Sequence, residues 1–192
     1  MTLLTRLLSL LALAGLLAAC ADGRVMGEQR PELGNFRLSH NIVLAENAVQ
    51  GPLSRQADTA TLERVLREQI ANRFERYQGD RLYHLAVTVD AYVLAVPGIP
   101  LVASPRSALI LGVFVWDDAL GRPLNAERRQ ITVLENVSGE SVVGSGLTQT
   151  ADQQMLVLSR NAARAIETWL ASHPEWFGGT PAPEPQAAET DD

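Results

Sequence analysis

The sequence predicts an α+β domain in which an antiparallel sheet of about four strands carries two helices on one face, in the order β-α-β-β-β-α. Two observations predict it. Residues 58–78 and 151–172 repeat apolar side chains at steps of three and four, the period of a helix with one buried stripe. Before and between them lie runs that alternate or are continuously apolar, rich in β-branched residues and bounded by Gly, Pro and Asp, as strands are. Laying both helices on one face of the sheet buries the two sets of apolar surface economically.

Each element has its own justification. In residues 35–44, Phe36, Leu38, Ile42 and Leu44 alternate with polar neighbours, with His40 interrupting the apolar side. Gly51 and Pro52 break the chain, and Asp58 or Thr59 caps a helix by accepting from its free N–H groups. On that helix Leu62, Val65, Leu66, Ile70, Phe74 and Tyr77 share a face. The pairs Glu63/Arg67 and Arg64/Glu68 lie one turn apart on the other side, each adding a few tenths of a kcal/mol, and Gly79 ends it.

The pattern then changes period. From residue 82 to 96, Leu85, Val87, Val89, Ala91 and Val93 fall on one side and His84, Thr88, Asp90 and Tyr92 on the other. Residues 107–117 are apolar throughout, which predicts a central strand buried on both faces and too short to span a bilayer. A turn over 117–123 leads to a strand over 130–137, and Gly139, Gly144 and Gly146 loosen the chain beyond it. The last helix, 151–172, places Met155, Leu158, Ala162, Ile166, Trp169 and Leu170 on one face and ends before Pro174.

The N-terminus reads as a targeting segment. Residues 1–19 carry one charge, Arg6, an apolar stretch from Leu7 to Leu17 and two small residues, the three parts of a secretory signal. Behind them stands the chain's single cysteine, Cys20. The tetrad Leu17-Ala18-Ala19-Cys20 resembles the lipobox of bacterial lipoproteins. That resemblance implies removal of the signal peptide and acylation of Cys20. At about 0.8 kcal/mol per buried methylene, the several chains typical of that class hold the protein firmly to the bilayer. The competing reading is an ordinary signal peptide cut near Ala19, leaving a free thiol. Because Ala21, not Asp, follows Cys20, the resemblance also implies the outer membrane over the inner, facing the periplasm.

The chain is thus organised as a signal peptide at 1–19, a lipid-attached tether at 20–34, one α+β domain at 35–177 and a disordered Pro-rich, acidic tail at 178–192. The tether, fully extended, reaches at most about 50 Å. The net charge is −6, and −7 once Arg6 leaves with the signal; Glu184, Glu189, Asp191 and Asp192 supply four of those charges. What is left on the domain is small and mixed in sign, which argues against a nucleic-acid partner. With one cysteine there is no internal disulfide, so apolar burial holds the domain together. Its layout is similar to that of small envelope lipoproteins, transport-auxiliary and uncharacterised ones among them, in layout only.

Motifs for chemistry are incomplete. Residues 139–143 (GESVV) begin like a nucleophile elbow but end in Val where the turn needs Gly. His40, His84 and His173 are far apart in sequence and lack metal-ligand spacing, and residues 139–146 lack the Lys of a phosphate-binding loop. Neither a cofactor nor a catalytic residue is therefore assigned. Asp90, Asp117 and Asp118 are the carboxylates an alternative reading, an envelope hydrolase, would use; a small-ligand carrier is a further alternative.

The unusual segment is the loop over 96–105. It has three prolines yet carries Ile99, Leu101 and Val102, where loops are usually polar. Either these residues form an exposed edge for an envelope protein partner or they fold back to close one end of the core. Trp176 and Phe177 read as a fastening of the last helix to the sheet. The function expected is that of a membrane-anchored, non-enzymatic lipoprotein acting by binding, assembly or transport assistance.

Overall fold

The computed structural model describes residues 30–96, 106–135 and 150–178. The chain divides after Pro31 into an N-terminal unit and a compact unit from Glu32 onward. In the latter, β1 (Arg37–Leu44), β3 (Leu82–Val93), β4 (Ala108–Asp117) and β6 (Arg129–Leu134) make four lanes of one sheet. The two-residue strands β2 (Val49–Gln50) and β5 (Arg122–Pro123) extend the outer lanes.

The sheet is mixed, which corrects the expectation of a purely antiparallel one. β3, β4 and β6 form the expected antiparallel meander, but β1 and β2 both pair parallel to β3. The reason is connection length. Helix α1 (Thr59–Phe74) intervenes between β1 and β3 and carries the chain back to the end of the sheet where β1 began, as a parallel pair requires.

Two bulges correct the assignment of faces. The β1–β3 register shifts between Leu38 and His40, so the buried side continues through Val43 and Ala45, and Ile42 and Leu44 point outward. The β3–β4 register shifts between Val89 and Ala91, so Leu85, Val87 and Val89 are followed inward by Tyr92 and Leu94, not by Ala91 and Val93. An inserted residue resets a period of two, and strict alternation cannot foresee it.

Asp58 caps α1, its carboxylate accepting from the Ala60 N–H at 3.1 Å. Thr150 opens α2 (Ala151–Ala171) with a capping box: its hydroxyl accepts from the Gln153 N–H and the Gln153 side chain accepts from the Thr150 N–H. α1 stops at Phe74, short of Gly79. That glycine is needed for another reason, since a Cβ there would collide with the backbone of Asn35 and Phe36 passing beside it.

Both helices cover the same sheet face, over Leu109, Leu111, Val113 and Val115 of β4. Their contact is fixed by Glu167, buried on α2, whose carboxylate accepts from the Tyr77 hydroxyl at 2.6 Å and pairs with Arg73 at 2.5 Å and with Arg76. At one end Phe36 stacks on Tyr83 and meets Phe177 edge-on, both with centroids 5.2 Å away. The Asn35 N–H donates to the Phe177 carbonyl at 3.0 Å, so both ends of the domain close on one aromatic cluster.

Candidate functional surface

With both helices on one side, the other side of the sheet carries no helix among the described residues. This corrects the prediction that 107–117 is buried on both faces: Ile110 and Phe114 are half-buried and Trp116 is 40% exposed. The register sets side chains in rows across this open face: His40, His84 and Trp116; Ile42, Ala86 and Phe114; Leu44, Thr88 and Gly112; Val49, Ala91 and Ile110; Val93, Ala108 and Leu134. Of the eight exposed large apolar residues among those described, six lie here: Ile42, Leu44, Val49, Leu82, Trp116 and Leu134. Single exposed apolar side chains are ordinary, whereas adjoining ones form a patch.

Of the charged groups on this face, Arg128 pairs with Asp90 and His84 with Asp118, and Arg37 beside Leu82 adds a cation at one end. Arg128 lies across the middle of it, its Nη1 donating to Thr88 Oγ1 and Asp90 Oδ1, both at 2.7 Å. Gly112 leaves the space, since a Cβ there would strike the guanidinium. At one end His84 Nε2 is 2.9 Å from Asp118 Oδ1, and its Nδ1 is 3.2 Å from Nδ1 of His40, which also contacts Ser39 Oγ at 2.9 Å. When His84 donates through Nε2 to Asp118, its Nδ1 is left to accept from His40. The strand register thus joins two histidines that the sequence places far apart, a pairing readable only once the partner strand is known.

The three aspartates do not converge. Asp117 is buried and bound to Arg81 at 2.6 Å, with its other oxygen accepting from the Leu120 N–H at 3.0 Å, which shapes the turn. Asp118 serves His84, and Asp90 serves Arg128. Asp117 faces Tyr83, seven residues along β3 from Asp90, about 23 Å at strand rise. The carboxylate pair that a hydrolase reading needs is not formed. Among the described residues no group of three or more His, Cys, Asp or Glu is placed to hold a metal, and no helix is long and apolar enough to cross a membrane. Cys20, the 139–143 segment and Ile99, Leu101 and Val102 lie outside the described residues.

No family model matches the chain, and no curated protein does. Among solved structures, similarity extends to the hypothetical protein CT253 from Chlamydia trachomatis, at 9% identity over 72% of this chain and 97% of that one, with a TM-score of 0.40. A candidate lipoprotein from Caulobacter crescentus CB15 is 18% identical over 78% and 96%, with a TM-score of 0.36. A minor lipoprotein from Acinetobacter baumannii is 16% identical over 68% and 93%, with a TM-score of 0.30. At such scores these likenesses transfer no role, so the functional reading rests on this chain's own residues.

Proposed function

We propose that the chain is an envelope lipoprotein, held through acylated Cys20 at the periplasmic side of the outer membrane. In this reading it acts without catalysis, docking a protein partner on the open face of its sheet in an assembly or transport-auxiliary role. The observation that carries it is the gathering of six exposed large apolar side chains on one face that no described helix covers and whose charges are mostly paired. Four lanes about 4.8 Å apart and ten residues of β4 give a patch of roughly 500–650 Å². A standard interface buries about 800 Å² per partner, so the face suits a modest or transient contact. A largely apolar face with most of its charges paired matches a protein surface of the same kind better than charged lipid headgroups or nucleic acid.

Two experiments test it. Cys20→Ser should shift the protein from the membrane fraction to the soluble periplasm; continued membrane association would defeat the anchor. A photo-crosslinker placed in cells at Ile42 should capture a discrete partner that the same group at Glu68, exposed on α1, does not; equal capture from both positions would reject the face.

A further inference from the structure

The strand register builds a pair of metal ligands that neither strand holds alone. β1 and β3 run parallel, and the register shift between Leu38 and His40 leaves His40 opposite His84 on the open face. Neighbouring strands lie about 4.8 Å apart, so two imidazoles standing on them can reach one ion. The two Nδ1 atoms are 3.2 Å from each other. A zinc–imidazole bond is about 2.0–2.1 Å, so an ion equidistant from both nitrogens would subtend an N–metal–N angle of about 99–106°, near the tetrahedral value of about 109°. The ring centroids are 5.1 Å apart and the rings are inclined at 37°. Two rings meeting nitrogen to nitrogen in line would have centroids further apart, so the ring axes are bent, as those of two ligands to one ion are.

The far side of His84 has the support that a ligating histidine needs. Its Nε2 is 2.9 Å from Asp118 Oδ1. With the proton held there, His84 presents a lone pair at Nδ1, and the carboxylate fixes the ring and strengthens that lone pair as a donor to a metal. Asp118 is itself placed by the backbone, its N–H donating to the Leu82 carbonyl at 3.1 Å. His84 is also partly enclosed, its side chain 28% exposed.

Without a metal, His40 Nδ1 lies between His84 Nδ1 and Ser39 Oγ, the latter 2.9 Å away. An ion bound at that nitrogen replaces both contacts. His40 then carries its proton on Nε2 in place of Nδ1, so two neutral imidazoles bind and no net proton is released.

We propose that His40 and His84 bind a divalent transition-metal ion through both Nδ1 atoms, with Asp118 as the positioning carboxylate. Two imidazoles select zinc, nickel or copper over magnesium and calcium, which take oxygen ligands. Among the described residues no third His, Cys, Asp or Glu stands with them as a ligand. Two tetrahedral positions are therefore left to water or to an outside donor, and the ion is exchangeable, unlike one in a closed structural site.

Titration of the untagged mature chain with zinc ion, followed by NMR of the imidazole nitrogens, tests this. Zinc should shift Nδ1 of His40 and of His84 together, at one ion per chain, and leave His173 unmoved. His40→Gln and His84→Gln should each weaken binding at least about tenfold, and Asp118→Ala about 10–100-fold, whereas His173→Gln should not change it. In the zinc-free chain Asp118→Ala should also release the His84 proton from Nε2, a change that a purely structural role for Asp118 would not produce. The urea midpoint of each variant without zinc separates loss of a ligand from loss of the fold. Imidazoles that do not respond to zinc in the unaltered chain would overturn the proposal. So would a response at Nε2 in place of Nδ1, or binding that survives His84→Gln.

Discussion

Glu167 shows how much of the packing turns on single residues. A carboxylate buried between two helices is stable only because Tyr77, Arg73 and Arg76 converge on it. Glu167→Ala leaves those partners facing a void, and the expected loss is about 3–5 kcal/mol in urea unfolding. Tyr77→Phe removes one hydrogen bond to a charged group and should cost about 1.5–3 kcal/mol. The same tyrosine gives a pH signature. Burial first, and then the neighbouring Glu167 carboxylate, push the Tyr77 hydroxyl well above its ordinary range, and burial raises Tyr83 as well. Unfolded tyrosines lose their protons near pH 10, where the folded ones keep theirs, so the unfolded state then binds fewer protons. Stability should therefore hold below about pH 10 and fall as pH rises beyond it, with a shallower alkaline limb in Tyr77→Phe. Tyr77 was legible as part of an apolar face, but Glu167, Arg73 and Arg76 could not be singled out in the sequence, where they are charged residues on two separate amphipathic patterns. His40 and His84 were hidden for the same reason, since only the parallel register of β1 on β3 makes them neighbours.

At the scale of elements, what could be read was existence and type, and what could not was phase. The two helices and the four principal strands lie close to where periodicity puts them because each has a long apolar pattern of one period. The faces of β1 and β3 escaped because a bulge resets the alternation without leaving a mark in composition. The direction of β1 escaped because a strand's sequence does not encode whether its neighbour is parallel. Caps were more legible, as Asp58 shows, and Thr150 supports a prediction of the same kind. Its hydroxyl and the Gln153 side chain satisfy two N–H groups that the helix itself leaves open. Thr150→Ala should cost about 1 kcal/mol in the urea midpoint, and Thr150→Asn should recover most of it. Asp58 adds a dependence on acidity. Its hydrogen bonds from the Thr61 side chain and backbone and from the Ala60 N–H hold its carboxyl below the usual range, so the capping contribution is present at neutral pH and lost as pH falls through the acid range.

Over the whole molecule, one-sided layering decides both stability and exposure. Two helices suffice to cover one face of a four-lane sheet, and the apolar residues on its other face stay exposed. The domain is then closed at a single point, where Phe36, just before β1, gathers Phe74 at the end of α1, Tyr77 beyond it, Tyr83 on β3 and Phe177 in the turn after α2. Phe177 is almost fully buried in that cluster, and its carbonyl accepts from the Asn35 N–H, so the last turn belongs to the core although it comes after every regular element. A chain ending at Gly178 should keep the urea midpoint of the full-length protein, because it retains that turn. A chain ending at Glu175 loses Trp176 and Phe177, and by the scale of large aromatic truncations it should lose about 3–5 kcal/mol in one cooperative transition. The whole domain bears that loss, not its last turn alone. Unfolding that left the sheet midpoint unmoved would mean that the C-terminal turn is an appendage and that Phe36 does not link the two ends.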